Sequence, residues 1–117
     1  MGDAEHFHFG NATEEGVDHC GWVVGHFMKP DDVRRSSDVE IKWGVHRAGE
    51  ERATWQEIEQ RTTVLILISG RFEITLDAGS FMLEKSGDYV MWGHGIGHSW
   101  RAHEDSVMLT VRWPSQP

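Results

Sequence analysis

The sequence predicts an all-β domain, either a sandwich or a barrel of short strands. Its apolar residues alternate with polar ones in short runs, and Gly, Asp, Ser and Pro separate those runs. No segment carries apolar residues at helical spacing over three turns. With 117 residues the chain can bury one core. We therefore expect a loose N-terminal arm at residues 1–16 and a single barrel domain at residues 17–117.

Two alternating runs open the domain, Gly21–Met28 and Val39–His46, and a polar turn separates them. In the second run the apolar side chains fall on one face, whereas Glu40, Lys42 and His46 fall on the other. The pattern leaves open which of these faces lines the interior of the barrel.

The central run, Val64–Ile68, is continuously apolar, as expected for a strand that is buried on both faces. Arg71–Leu76 follows directly after Gly70, so the two runs form either one long strand kinked at the glycine or a tight hairpin. Later strands are predicted over Phe81–Glu84, Tyr89–Trp92 and Ser106–Trp113. Pro114–Pro117 is expected to be a frayed tail.

Charge and composition exclude several classes of function. A net charge of −8 lacks the basic face that nucleic-acid binding needs and would be repelled by anionic membranes, so neither is an expected partner. No apolar run approaches the roughly 20 residues that span a bilayer, and the N-terminus lacks the pattern of a secretory signal. The lone Cys20 cannot form an internal disulfide, is expected to be packed, and fits the reducing cytoplasm.

The clearest chemical pattern is GDYVMWGHGIGHSW, at Gly87–Trp100. Its first glycine is followed by five residues, then by Gly-His-Gly, and two residues later by His98. This spacing resembles the second motif of the cupins, in which a PxG triplet stands in place of Gly-His-Gly. Val64–Leu76 resembles the strand, glycine and strand that close the first cupin motif. The resemblance extends roughly from residue 39 to residue 113 and implies a cupin barrel, which is a double-stranded β-helix or jelly roll.

The resemblance also implies where a metal would bind. Metal-binding cupins typically hold the ion with three histidines and one glutamate in the barrel interior. Counting back from the motif glycine places Thr63 at the glutamate position and Glu57 and Glu59 at two histidine positions, so only His98 keeps both type and position. A divalent ion (Fe, Mn, Zn or Ni) held by His98, Glu57 and Glu59 is one interpretation. The other is that the two glutamates lie on a solvated edge or loop and that no metal binds.

Aromatic and imidazole side chains near the predicted turns form the candidate ligand site. These residues are His98, Trp92, Trp100, Trp43 and His46. The tryptophans either wall a cleft for a planar or hydrophobic ligand or simply fill a small barrel. His98 and His46 are also the candidate catalytic residues, each able to transfer a proton beside Glu57 or Glu59.

Three functions remain open on this evidence. The favoured one is binding of a small organic ligand inside the barrel without metal, as in a sensor or carrier. The second is a metal-dependent cupin enzyme of the isomerase, cyclase, lyase or dioxygenase type, and the third is a metal-free acid–base enzyme. The resemblance further implies a homodimer, because cupin barrels often pair through an outer sheet and exchange N-terminal strands; residues 1–16 would then serve as the exchanged arm.

Overall fold

The structure, a computed structural model, describes residues 6–56 and 60–117, and of residues 53–56 it describes the backbone alone. Short helical turns precede the strands: the helix α1 (Ala12–Glu15) and a 3-10 helix (Gly16–His19). The strands are β1 (Trp22–Val24), β2 (Glu40–His46), β3 (Glu51–Gln56), β4 (Thr62–Ser69), β5 (Phe72–Leu76), β6 (Gly79–Leu83), β7 (Tyr89–Trp92), β8 (His98–Ala102) and β9 (Ser106–Trp113).

The strands form two antiparallel sheets that face each other. The five-stranded sheet has the order β1-β2-β9-β4-β7, and the four-stranded sheet has the order β3-β8-β5-β6. The core lies between them, with Leu67 and Met108 from the first sheet and Phe72 and Ile74 from the second. The all-β jelly roll predicted from the sequence is confirmed.

The chain crosses from one sheet to the other at Gly70. Strand β4 belongs to the five-stranded sheet and β5 to the four-stranded sheet, so the two form a kinked path and not a hairpin. Gly70 has φ +103°, and a Cβ there would come within 2.4 Å of the Asp105 carbonyl oxygen and of Ser106 Oγ. Only glycine fits both the backbone conformation and the close approach.

Two strands were not predicted, β3 (Glu51–Gln56) and β8 (His98–Ala102). They pair with each other, and β8 also pairs with β5, so they complete the four-stranded sheet. Both carry charged or polar residues without clean alternation, which is why the sequence pattern missed them. The second of them begins at His98, directly after the glycine-rich turn.

The expectation that Val64–Ile68 is buried on both faces is wrong. Leu65 and Leu67 point into the core, whereas Val64 and Ile66 are half-buried and Ile68 is exposed. The outer face of this strand is therefore apolar without being covered by a second layer of the described residues.

The described part of the N-terminal arm packs against its own barrel. Thr13 Oγ1 accepts a hydrogen bond from Trp43 Nε1 at 2.8 Å, and Glu15 forms an ion pair with Arg34 at 3.0 Å. The boundary at residue 16 stays a prediction, because these contacts do not decide whether the arm folds independently.

Two local expectations are corrected. The C-terminal tail is not frayed throughout, since Ser115 is buried and its Oγ accepts a hydrogen bond from the His26 backbone N–H at 2.9 Å. Cys20 is exposed and not packed, because it ends the 3-10 helix in the left-handed conformation with φ 53°. No helix within the described ranges, 6–56 and 60–117, is long and apolar enough to cross a membrane.

Candidate functional site

A cavity of about 230 Å³ lies between the two sheets. Both sheets contribute the residues that line it: Trp22, Lys42, Gly44, His46, Arg52, Thr63, Leu65, Phe72, Ile74, Trp92, His98, Trp100, Met108, Thr110 and Arg112. Pockets for drug-sized ligands have volumes of roughly 300–1,000 Å³, so this cavity suits a smaller molecule.

The polar face of β2 lines this cavity. Lys42, Gly44 and His46 contribute to its wall, whereas Val45, on the alternate face, is 57% exposed. The question that the sequence left open is thereby answered, because the alternation of a strand sends the two sets of side chains to opposite sides. An imidazole and an ammonium group consequently point into the interior of the barrel.

His46 belongs to an aromatic cluster at one end of the cavity. Its ring centroid lies 4.6 Å from that of Trp100 and 5.5 Å from that of Phe72, and the latter two rings stack at 5.2 Å. Such offset and tilted arrangements are the ones that aromatic rings prefer. The cluster supplies a largely apolar wall that contains one imidazole ring.

Glu50 orients the His46 ring. His46 Nδ1 lies 3.1 Å from Glu50 Oε1. The pKa of Glu50 is lowered by hydrogen bonds from the Arg47 backbone and from His46, so the carboxylate is ionised and accepts a hydrogen bond from the Nδ1–H group. Burial lowers the pKa of His46, which favours the neutral ring. In that form Nε2 carries no proton and can accept one, as a general base would.

His98 and Thr63, the two positions matched to the cupin motifs, line the same cavity. The His98 ring lies 4.8 Å from the Trp92 ring, which is itself buried. Thr63 is 5% exposed and pairs across the sheet with Trp92. The motif spacing therefore placed His98 on the correct wall of the barrel, although Thr63 offers a hydroxyl where the family motif has a carboxylate.

Cationic side chains line another part of the wall. The Arg112 guanidinium carbon lies 4.2 Å from the Trp22 ring centroid, and Lys42 Nζ lies 5.7 Å from the same centroid. The pKa of Lys42 is lowered by burial first and then by the positive charges of Arg52 and Arg112. Lys42 is therefore partly buried and close enough to both arginines to be repelled by them.

One buried carboxylate stands beside these cations. Glu40 is 2% exposed, forms an ion pair with Arg61, and lies 3.1 Å from Arg112 Nε. Register explains the second contact, because Glu40 and Arg112 are direct partners between β2 and β9. This carboxylate stabilises the arginines but is not part of the cavity wall among the described residues.

The donors that the structure describes do not fit a divalent cation. Two imidazoles reach the cavity, His46 from β2 and His98 from β8, and positive charges from Lys42 and the two arginines share the space. Among residues 6–56 and 60–117, no group of three His, Cys, Asp or Glu side chains could hold a metal ion. Glu57 and Glu59, the predicted carboxylate ligands, lie outside the described residues.

The cavity is lined by four of the five predicted ligand-site residues: His98, Trp92, Trp100 and His46. The fifth, Trp43, does not line it. Trp43 lies on the alternate face of β2, where its indole N–H donates to Thr13. Sequence reasoning missed Lys42 as a site residue, although its spacing of four from His46 places both on one strand face. It also missed Arg112, whose position opposite Glu40 depends on a register that the sequence does not reveal.

No protein-family model matches the sequence, and a search of curated proteins finds no match. Solved structures do match. KdgF from a Halomonas species is 22% identical with a TM-score of 0.62, over 69% of this chain and 74% of KdgF.

Two further structures are similar over comparable parts of this chain. A cupin protein from Bacteroides fragilis is 20% identical with a TM-score of 0.58, over 66% of each chain. Salicylate 1,2-dioxygenase from Pseudoaminobacter salicylatoxidans is 22% identical with a TM-score of 0.57, over 65% of this chain and 20% of that enzyme. The fold that these structures share agrees with the two-sheet jelly roll described above, and the chain is a cupin-fold protein.

Proposed function

We propose that this protein binds a small organic ligand in the cavity between its two sheets. The observation that carries the proposal is the convergence of His46, His98, Trp92 and Trp100 on one cavity of about 230 Å³. Ligand sites are typically apolar concavities with a few polar groups that fix orientation, and this cavity has both features. Its size favours a molecule with a single ring.

Salicylate 1,2-dioxygenase provides an example of a structurally similar protein with a ligand of this size. That enzyme is named for a single-ring substrate and has been described as adducts with gentisate, another single-ring molecule. The likeness concerns the fold, so the ligand of the present protein is inferred from its own cavity walls.

The indole N–H signals of the tryptophans provide the test. Trp22, Trp92 and Trp100 line the cavity, whereas Trp43 faces away from it and serves as an internal control. A library of single-ring compounds is added to ¹⁵N-labelled, untagged protein in the presence of a chelator. We expect a binding compound to shift the three cavity indoles and leave Trp43 in place. The proposal is contradicted if no compound moves the cavity indoles, or if Trp43 moves most.

Metal-free acid–base catalysis is a second candidate function, and the pair formed by Glu50 and His46 favours it. Glu50 holds Nδ1, which leaves Nε2 as the proton acceptor at the cavity wall. The sequence proposed Glu57 or Glu59 as the carboxylate partner, whereas the described contact is with Glu50. Turnover that is lost in His46→Gln while ligand binding persists would distinguish catalysis from binding alone.

Metal-dependent catalysis remains the alternative that the shared fold suggests. His98 lies on the cavity wall, but the described cations and the shortage of described acidic ligands do not favour an ion. Metal content of untagged protein, measured by mass spectrometry beside the His98→Ala variant, tests it. Near-stoichiometric metal that disappears in the variant would establish His98 as a ligand and replace the first proposal.

We also propose that the protein forms a homodimer through an apolar surface that we call the outer face. It consists of the outward side chains of four adjacent strands: Val45, Val64, Ile66, Ile68, Tyr89, Met91, Val107 and Leu109. Tyr89 is 64% exposed and Met91 is 54% exposed, and both border the half-buried Val64 and Ile66 by register. Contiguous apolar patches of this kind mark association sites.

The N-terminal arm lies beside the outer face. Thr13 bonds to Trp43 on the outward side of β2, and the preceding Phe7 and Phe9 are exposed. These two rings would extend the apolar contact onto a second copy. The cytoplasmic location expected from the single cysteine stays a prediction.

A further inference from the structure

We infer that the ligand of this cavity is an organic anion, a single ring that carries one carboxylate, held by Lys42 with Arg52 and Arg112 beside it. The inference rests on the proposed function, since it names the chemical class of the ligand for that same cavity.

The charges along the described wall are of one sign. Lys42, Arg52 and Arg112 line the cavity, and no described Asp or Glu does. Glu40 is the buried carboxylate nearest along β2, and it already contacts both Arg61 and Arg112. Because Glu40 already compensates Arg112, Lys42 is the group that gains most from a ligand of opposite charge.

Lys42 is the side chain whose position requires the most explanation. No carboxylate among the described residues forms an ion pair with it, and the aromatic face of Trp22 is its described neighbour. A half-buried ammonium without a carboxylate beside it is costly, and burial together with the two neighbouring arginines lowers its pKa. A carboxylate beside Nζ would offset both the burial and the repulsion from the two arginines.

Strand register orients such a ligand. Thr110 is the direct partner of Lys42 between β2 and β9 and also lines the cavity, so the two side chains enter it from neighbouring strands. Two and four residues farther along β2 are Gly44 and His46, and the latter ring packs on Trp100. Along β2 the cavity wall thus runs from an ammonium group to the imidazole that packs on Trp100, an order that matches the two ends of a benzoate-like molecule.

Benzoate is the probe, with benzamide as its neutral counterpart and benzylamine as its cationic one. Dissociation constants are measured calorimetrically at pH 7.5 for wild-type protein, Lys42→Met and the control Lys85→Met, whose lysine is exposed. We expect benzoate to bind wild type and Lys85→Met at least about 10-fold more tightly than benzamide, and Lys42→Met to lose about 10-fold or more for benzoate. Benzamide affinity should stay the same in all three proteins, which also shows that Lys42→Met is folded.

Each contrary result has a distinct meaning. Equal affinity for benzoate and benzamide, or an unchanged benzoate affinity in Lys42→Met, overturns the anion inference and leaves ligand binding in the cavity intact. Tighter binding of benzylamine overturns it as well. If no ring compound binds and the cavity indoles never shift, both the inference and the proposed function are contradicted.

Discussion

The His46 ring lies over Gly44, two residues earlier on the same face of β2. A Cβ added at Gly44 would come within 2.9 Å of His46 Nε2 and 3.5 Å of Cδ2. The absence of a side chain at residue 44 therefore makes room for the imidazole and helps to set its approach to Trp100. The identity of residue 44 thus affects the position of His46, a candidate catalytic residue.

Replacing Gly44 with Ala should displace the His46 ring while leaving the fold intact, because the atom it meets is the far end of a side chain. We expect a loss of about 1–3 kcal/mol in the free energy of unfolding, as for other overpacked sites, and weaker binding of cavity ligands. Chemical denaturation and calorimetry measure the two effects. Gly93→Ala is the matched control, since a Cβ there meets no atom within 4 Å. Identical ligand affinity in Gly44→Ala and wild type would contradict the role assigned to Gly44.

The stability of the protein should fall as the pH is lowered below the ordinary histidine pKa of 6.5, in part because of His46. Burial lowers the pKa of this ring in the folded state, so the unfolded chain binds a proton first and gains stability relative to the folded one. The loss begins near pH 6.5 and continues until the pH has passed below the folded-state pKa.

Urea denaturation between pH 7.5 and 5 measures this effect in wild type and His46→Gln. The variant should show a shallower decline over that range, because it lacks the titrating ring. Asp32, whose pKa is lowered to about 2 by hydrogen bonds from Arg34, loses its own contribution only between about pH 3.8 and 2, outside the window. Equal slopes for the two proteins would show that His46 does not contribute in this way.

Glu40→Gln should destabilise the protein strongly. The change removes a buried negative charge that contacts Arg61 and Arg112, and breaking a buried ion pair typically costs about 3–5 kcal/mol. Thermal or chemical unfolding gives the magnitude. Glu104→Gln, at an exposed carboxylate, should change stability by less than about 0.5 kcal/mol. A small effect at both positions would mean that Glu40 is not needed to stabilise the two arginines.

A charge introduced into the outer face should convert a dimer into monomers. Met91→Glu places a carboxylate at a position that is 54% exposed in the single chain but buried in the proposed interface. Sedimentation velocity at several protein concentrations measures the outcome. Phe81→Glu is the control, because Phe81 is 40% exposed on β6 in the other sheet. Monomeric wild type, or an unchanged dimer in Met91→Glu, would exclude this interface.

The alternation of residues with period two predicted most of the strands, because each strand of the five-stranded sheet has one face toward the core and the other toward the surface. The outer face of this sheet is itself apolar. The same property misled the prediction at Val64–Ile68, where continuous apolarity indicated two-sided burial but one side is left to a surface. Strands β3 and β8 were missed because their sequences, ERATWQ and HSWRA, contain charged and polar residues that do not alternate cleanly with apolar ones.

The candidate site was predictable only in part. Motif spacing indicated His98, and this residue begins β8 directly after the glycine-rich turn and lines the cavity. Trp43 and His46 could not both be inside, since they are three residues apart on one strand, and alternation sends them to opposite faces. Arg112 joins the site through its pairing with Glu40, a contact between positions 72 residues apart that no local pattern encodes.

A crystal structure of the protein soaked with benzoate would test the central claim, that the cavity between the sheets is the ligand site. We predict electron density for one ring near Trp100 and Phe72, with its carboxylate directed toward Lys42 and Thr110. Benzoate that is found only on the outer face or elsewhere on the surface, while ordered water fills the cavity, would contradict the account.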